Sequence, residues 1–116
     1  MTRLVLLLAC LGGCTDDNAR DDASRMYGEA MTAARETKCD SGSVSVTGSS
    51  REATATFKQC ERATGTIDGT LHWVRDERSD EIVVTGTLRW EGMDKCIVDV
   101  HDRAGALTGS LCDFKF

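Results

Sequence analysis

The chain has 116 residues with 14 basic and 19 acidic side chains, a formal net charge of −5. That length holds one small domain, and the acidic balance excludes nucleic acid and purely electrostatic adhesion to anionic lipid as partners. Only six aromatic residues are present, so the apolar core is limited and disulfides are a natural brace.

Residues 1 to 14 begin with Met-Thr-Arg, continue as Leu4-Val5-Leu6-Leu7-Leu8-Ala9, and end Leu11-Gly12-Gly13-Cys14. One positive charge, a short apolar run and small residues before a cysteine have the layout of a secretory signal. The apolar run stops at Gly12, short of the roughly 20 residues a spanning helix needs. The segment Leu11-Gly12-Gly13-Cys14 resembles the lipobox of bacterial lipoproteins. That resemblance implies a signal peptide over residues 1–13, cleavage before Cys14, and a lipid anchor of palmitate-type chains on Cys14. It also implies residence in the cell envelope. Thr15, not aspartate, follows the cysteine, which in enteric lipoproteins implies the outer membrane. Each buried methylene contributes about 0.8 kcal/mol, so two or more acyl chains hold a protein on a membrane essentially permanently.

Cys10, after Leu7-Leu8-Ala9, is a second match to the same pattern. Parity separates the two. With Cys14 as anchor, Cys39, Cys60, Cys96 and Cys112 remain, an even set suited to disulfides in an exported domain. With Cys10 as anchor, one of five is left over.

Residues 14–22 read as the lipidated cysteine and an acidic tether carrying Asp16, Asp17, Asp21 and Asp22, with nothing to bury. A single globular domain is expected over 23–116. It opens with a helix over 23–38, where Met26, Tyr27, Ala30, Met31 and Ala34 form an apolar stripe. Asp22 or Ser24 can cap its start, Arg25 and Glu29 form an i,i+4 pair, and Gly42 is placed to stop it.

From Ser43 the period changes to two, so 43–116 reads as β-rich. Val44 and Val46 alternate with Ser45 and Thr47; Ala53, Ala55 and Phe57 alternate with Thr54 and Thr56; Ser49 to Glu52 turns between them. Gly65–Arg75 places Ile67, Gly69, Leu71 and Trp73 on one face. Glu81–Trp90 does the same with Ile82, Val84, Gly86, Leu88 and Trp90. Lys95–His101 and Ala106–Phe114 complete about six strands. Short turns make neighbours antiparallel, and clean alternation gives one buried and one wet face. The fold class is mainly β: a small antiparallel meander or sandwich with one N-terminal helix and two disulfides.

A phrase recurs as Asp68-Gly69-Thr70-Leu71, Thr85-Gly86-Thr87-Leu88 and Thr108-Gly109-Ser110-Leu111, at spacings of 17 and 23 residues that exclude a regular solenoid. Each glycine falls on the apolar face, where it relieves crowding in a bent sheet.

Four cysteines allow three connectivities. In the first hairpin Val44 faces Phe57, with Cys39 and Cys60 beyond its open end. A last hairpin centred near Ala104 sets Val100 against Thr108, Val98 against Ser110 and Cys96 against Cys112. The expected bridges are therefore Cys39–Cys60 and Cys96–Cys112. The cysteines lack the close spacing of a zinc knuckle, and only two histidines are present, so neither a metal nor another cofactor is expected.

Chemistry-bearing candidates are few. Asp99 and His101 share one strand face with Asp102 adjacent, a trio able to ligate a metal or act as an acid–base pair. His72, Thr70, Thr85, Thr87 and Arg89 share the wet face of the central hairpin, a polar surface able to receive a partner. No Gly-x-Ser-x-Gly or phosphate-binding glycine loop appears. The sequence therefore favours a non-enzymatic binding or structural module with a membrane anchor and a protein or glycan partner in the envelope. A small metal-binding protein or enzyme using Asp99, His101 and Asp102 is the alternative.

Overall fold

The computed structural model describes the backbone of residues 3–116 and the side chains of residues 18–116. The signal-peptide and Cys14 lipidation expectations lie outside the residues whose side chains are described. The chain forms one helix, α1 (Arg3–Glu36), and seven strands: β1 (Ser41–Gly48), β2 (Glu52–Arg62), β3 (Gly65–Arg75), β4 (Glu81–Trp90), β5 (Met93–Arg103), β6 (Ala106–Leu111) and β7 (Phe114–Lys115). The strands form a single antiparallel sheet in sequence order. The architecture is the expected antiparallel meander with a helix on one face, formed as one sheet and not as a sandwich, with seven strands where about six were expected.

The expected helix over 23–38 is part of a longer one that ends earlier. Asp22 and Ser24 lie inside α1 and do not cap it. Arg25 pairs with Asp22 at 2.9 Å and not with Glu29, because Glu29 is taken by Arg62 of β2 at 3.1 Å. The helix stops at Thr37, whose φ of 54° is left-handed, and the Lys38 amide donates to the Ala33 carbonyl at 3.1 Å. That pairing is a Schellman closure. It forms five residues before Gly42, which sits instead in β1 opposite the bulge of the neighbouring strand, close against the Gln59 backbone.

α1 crosses the inner face of the sheet diagonally. Near Glu36 it meets β2, where Arg62 also bonds Glu36 and the Lys38 carbonyl. About two and a half turns earlier Tyr27 reaches β5. At the helix midpoint Arg20 stacks on the ring of Phe116, 4.0 Å from its centroid, and donates to the Lys115 carbonyl. Arg20 thus belongs to the packed domain, although residues 14–22 were expected to bury nothing.

Ala23, Met26, Tyr27, Ala30, Met31, Ala33 and Ala34 are buried from α1; Phe57, Ile67, Leu71, Val84, Leu88, Val98, Val100 and Leu111 meet them from the sheet. Alanines on the helix let it lie close to the strands. Trp73 and Trp90, expected in the core, are half-buried at its margin.

The recurring phrase explains how the sheet bends around this helix. Its copies in β3 and β4 pair with each other: Gly69 with Leu88, Thr70 with Thr87, Leu71 with Gly86. Each glycine leaves room for the leucine opposite, and the third copy repeats the arrangement with Gly109 opposite Val100. Gly69 and Gly86 have φ of 127° and 146°, and a Cβ on either would collide with the carbonyl oxygen of Thr87 or Thr70. Crowding relief therefore accounts for the repeat.

Two local irregularities set the disulfides. A bulge between Phe57 and Cys60, with Gln59 at φ 48°, adds one residue to β2. Without it Cys60 would point outward; with it Cys60 is fully buried and bonded to Cys39, Cα–Cα 5.2 Å. The last hairpin turns through Ala104 and Gly105, both at positive φ, a two-residue loop that shifts the register by one. Val100 therefore faces Gly109, Val98 faces Leu111 and Asp99 faces Ser110, correcting the expected pairs. Cys112 is not opposite Cys96 in the ladder; its amide bonds the Ile97 carbonyl. A second positive-φ pair, Cys112 and Asp113, turns the chain into β7 and is why the expected strand 106–114 is two. The same left-handed turn swings Cys112 inward to Cys96, Cα–Cα 4.2 Å. Both expected bridges form.

Candidate functional site: the outer face of the sheet

The face away from α1 is built by the strand alternation. Core residues at odd positions of β3 leave Thr70 and His72 pointing out; core residues at even positions of β4 leave Thr85, Thr87 and Arg89 out. Because the register between neighbours is regular here, these side chains form cross-strand rows. One row runs Ser45, Thr56, Thr70, Thr87, Ile97; the next runs Thr47, Thr54, His72, Thr85, Asp99, Ser110. Strands lie about 4.8 Å apart, so the rows place hydroxyls at nearly even intervals across the sheet.

The five wet-face residues identified from sequence line one shallow groove of about 540 Å³, closed at one end by Asp94 and Lys95. His72 is oriented from both sides: Thr54 Oγ1 lies 2.9 Å from Nδ1, and Glu52 Oε2 lies 3.1 Å from Nε2. A carboxylate only accepts, so Nε2–H donates to Glu52, while the Thr54 hydroxyl is hydrogen-bonded to Nδ1. The two contacts fix the orientation of the ring beside the groove. Ile97 is 50 % exposed beside Thr87 and adds an apolar contact at the margin. Such a surface offers many hydrogen-bond donors and acceptors on a sheet frame, with the Thr54–His72–Glu52 chain at its side.

The structure divides the other trio. Asp99 and His101 lie on the outer face, both exposed, and His101 Nδ1 bonds Glu81 Oε1 at 2.9 Å. Asp102, one residue on, points to the opposite face. Its Oδ2 accepts from the Tyr27 hydroxyl and its Oδ1 from the Gly105 amide, each at 2.8 Å. Both carboxylate oxygens are spent on joining α1 to the β5–β6 turn. Burial, reinforced by the bond to Asp102, holds the Tyr27 phenol protonated well above its ordinary range. An open cleft of about 710 Å³ adjoins this pair, bordered by Arg25, Arg35, Arg75 and Asp80. Among the described residues no three His, Cys, Asp or Glu side chains converge as a metal site, and no helix is long and apolar enough to cross a membrane.

The sequence missed Tyr27–Asp102 and Arg62 as organising contacts. A tyrosine on the helix stripe signalled its own burial, but nothing local marked its partner 75 residues away. Compared with protein-family models, curated proteins and solved structures, the chain has no significant match.

Proposed function

We propose that this chain is a lipid-anchored protein of the bacterial cell envelope, held at the outer membrane through Cys14, whose domain is a non-enzymatic binding or structural module. The observation that carries the reading is Leu11-Gly12-Gly13-Cys14, one residue after the apolar run Leu4 to Ala9. Cys39, Cys60, Cys96 and Cys112 pair among themselves, which suits an oxidising compartment and leaves none of them competing for the anchor.

The docked Arg20 sets a limit on reach. Five residues, 15 to 19, separate it from Cys14, so even a fully extended connection spans roughly 20 Å. The domain therefore works close to the bilayer. Its hydroxyl-lined outer face is the surface for a protein or glycan partner of the envelope.

The test is membrane fractionation of the full chain and of Cys14→Ser in a bacterial host. The wild type is expected in the outer-membrane fraction and extractable only with detergent; the variant is expected to lose that behaviour. Identical soluble fractionation of both would overturn the anchor. Thr70→Glu with Thr87→Glu, which places like charges in the centre of the groove, is expected to abolish co-purification of envelope components while leaving the anchor intact.

A further inference from the structure

The two edges of the sheet are unlike. β7 is two residues long, carries Lys115, and has Arg20 on its carbonyl; this edge is protected. β1 is eight residues, Ser-Gly-Ser-Val-Ser-Val-Thr-Gly, with no charge and no proline, and only Val44 is buried. Sheet edges are normally blunted by charge, proline or cover. α1 packs on its inner face, but among the described residues no strand pairs with its outer edge.

The hydrogen-bond phase of this edge follows from the first turn. The Ser49 amide donates to the Glu52 carbonyl at 2.8 Å, and antiparallel ladders alternate. Residues 43, 45 and 47 therefore bond β2, and Val44, Val46 and Gly48 turn their amides and carbonyls outward. On the inner, apolar face Val46 is 36 % exposed while Val44 is 8 % exposed; the core stripe runs to the edge and stops without a neighbour.

We infer that β1 pairs with β1 of a second copy of this chain, antiparallel and centred on Ser45, so that two sheets join edge to edge. In this register Val44 faces Val46 of the other copy. Both residues present outward amides and carbonyls, and both lie on the apolar face, so hydrogen bonds and side-chain burial are satisfied together. The register shift at Ser41/Ser43, where Gly42 has a φ of 79°, limits the symmetric pairing to residues 43–47.

Charge favours this strip for self-contact. On a molecule of net charge −5 it is a neutral segment. Each of its ends carries one cation and one anion, Lys38 with Asp40 and Arg51 with Glu52, so no like-charged ends are forced together. Five paired residues per copy fall short of the about 20 of a standard interface, so association is weak in dilute solution and rises with concentration.

Ser45 bonds β2, so across the new ladder it meets its own copy as a non-hydrogen-bonded pair, with Cα atoms about 4.5 Å apart. That spacing suits a disulfide. In the full chain, Ser45→Cys is expected to form a covalent dimer under mild oxidation. Thr47→Cys, which faces Ser43 of the other copy, is expected to stay unlinked. Sedimentation over a concentration series is expected to show monomer and dimer, with Val46→Lys weakening the dimer about tenfold or more. Val46→Lys is read only where both native disulfides and the strand circular dichroism are kept. Equal linking of Ser45→Cys and Thr47→Cys, or a chain monomeric at every concentration, overturns the proposal. So does a dimer indifferent to Val46→Lys.

Discussion

The two faces of this sheet are made by the same residues taken alternately, yet they obey different rules. The inner face has no buried polar or charged side chain; it is filled by aliphatic groups, glycines and the two cystines against α1. The outer face repeats small hydroxyls in register across the strands. One face holds the fold together. The other is free of that duty and is where a partner can be accommodated without cost to stability.

Substitutions can break that division, and the largest effects belong to the inner face. Leu71→Ala, at a fully buried position, is expected to cost about 2–5 kcal/mol in chemical denaturation. Gly86→Ala comes next. Its Cβ meets the Thr70 carbonyl at a left-handed φ, so a loss of about 2–3 kcal/mol is expected even though the change adds one methyl. A Gly86→Ala variant as stable as wild type would refute the crowding account of the repeat.

Tyr27→Phe keeps the ring and removes only the hydroxyl bonded to Asp102. It is expected to cost about 1–2 kcal/mol. The effect carries a pH signature. The folded phenol is held above its ordinary value of 10.0, so alkali ionises the unfolded chain first. The stabilisation is fully present below about pH 10 and is lost as pH rises beyond it; Tyr27→Phe is expected to flatten that alkaline decline. The smallest effect belongs to the outer face. Thr87→Ala is expected within about 0.5 kcal/mol of wild type, and a loss as large as that of Leu71→Ala would erase the distinction between the faces.

Much of the inner face was legible because side-chain alternation is a strict period of two. Ile67, Leu71, Val84 and Leu88 read directly as core, and Val44 opposite Phe57 followed from the turn between them. What alternation cannot show is where it slips. The bulge at Gln59 and the left-handed pair Cys112–Asp113 involve no glycine at the slipping residue, so no breaker announced them. The Cys96–Cys112 bridge was reached from a register one residue out, because proximity at a hairpin's end tolerates that error. Of the candidate site, the groove residues Thr70, His72, Thr85, Thr87 and Arg89 were legible from the same alternation. The parity of Asp102 was equally available, since it differs by one from His101, and it separates the trio. Its bond to Tyr27 was not legible, because that contact depends on how α1 crosses the sheet.

The central claim is that this domain folds outside the cytoplasm on a lipid tether, and the intact mass of the chain purified from its host tests it most directly. The account predicts a polypeptide starting at Cys14, heavier than its residues by the acyl chains on that cysteine, with Cys39, Cys60, Cys96 and Cys112 oxidised. A chain of full length from Met1, carrying no acyl mass and four reduced thiols, would contradict it.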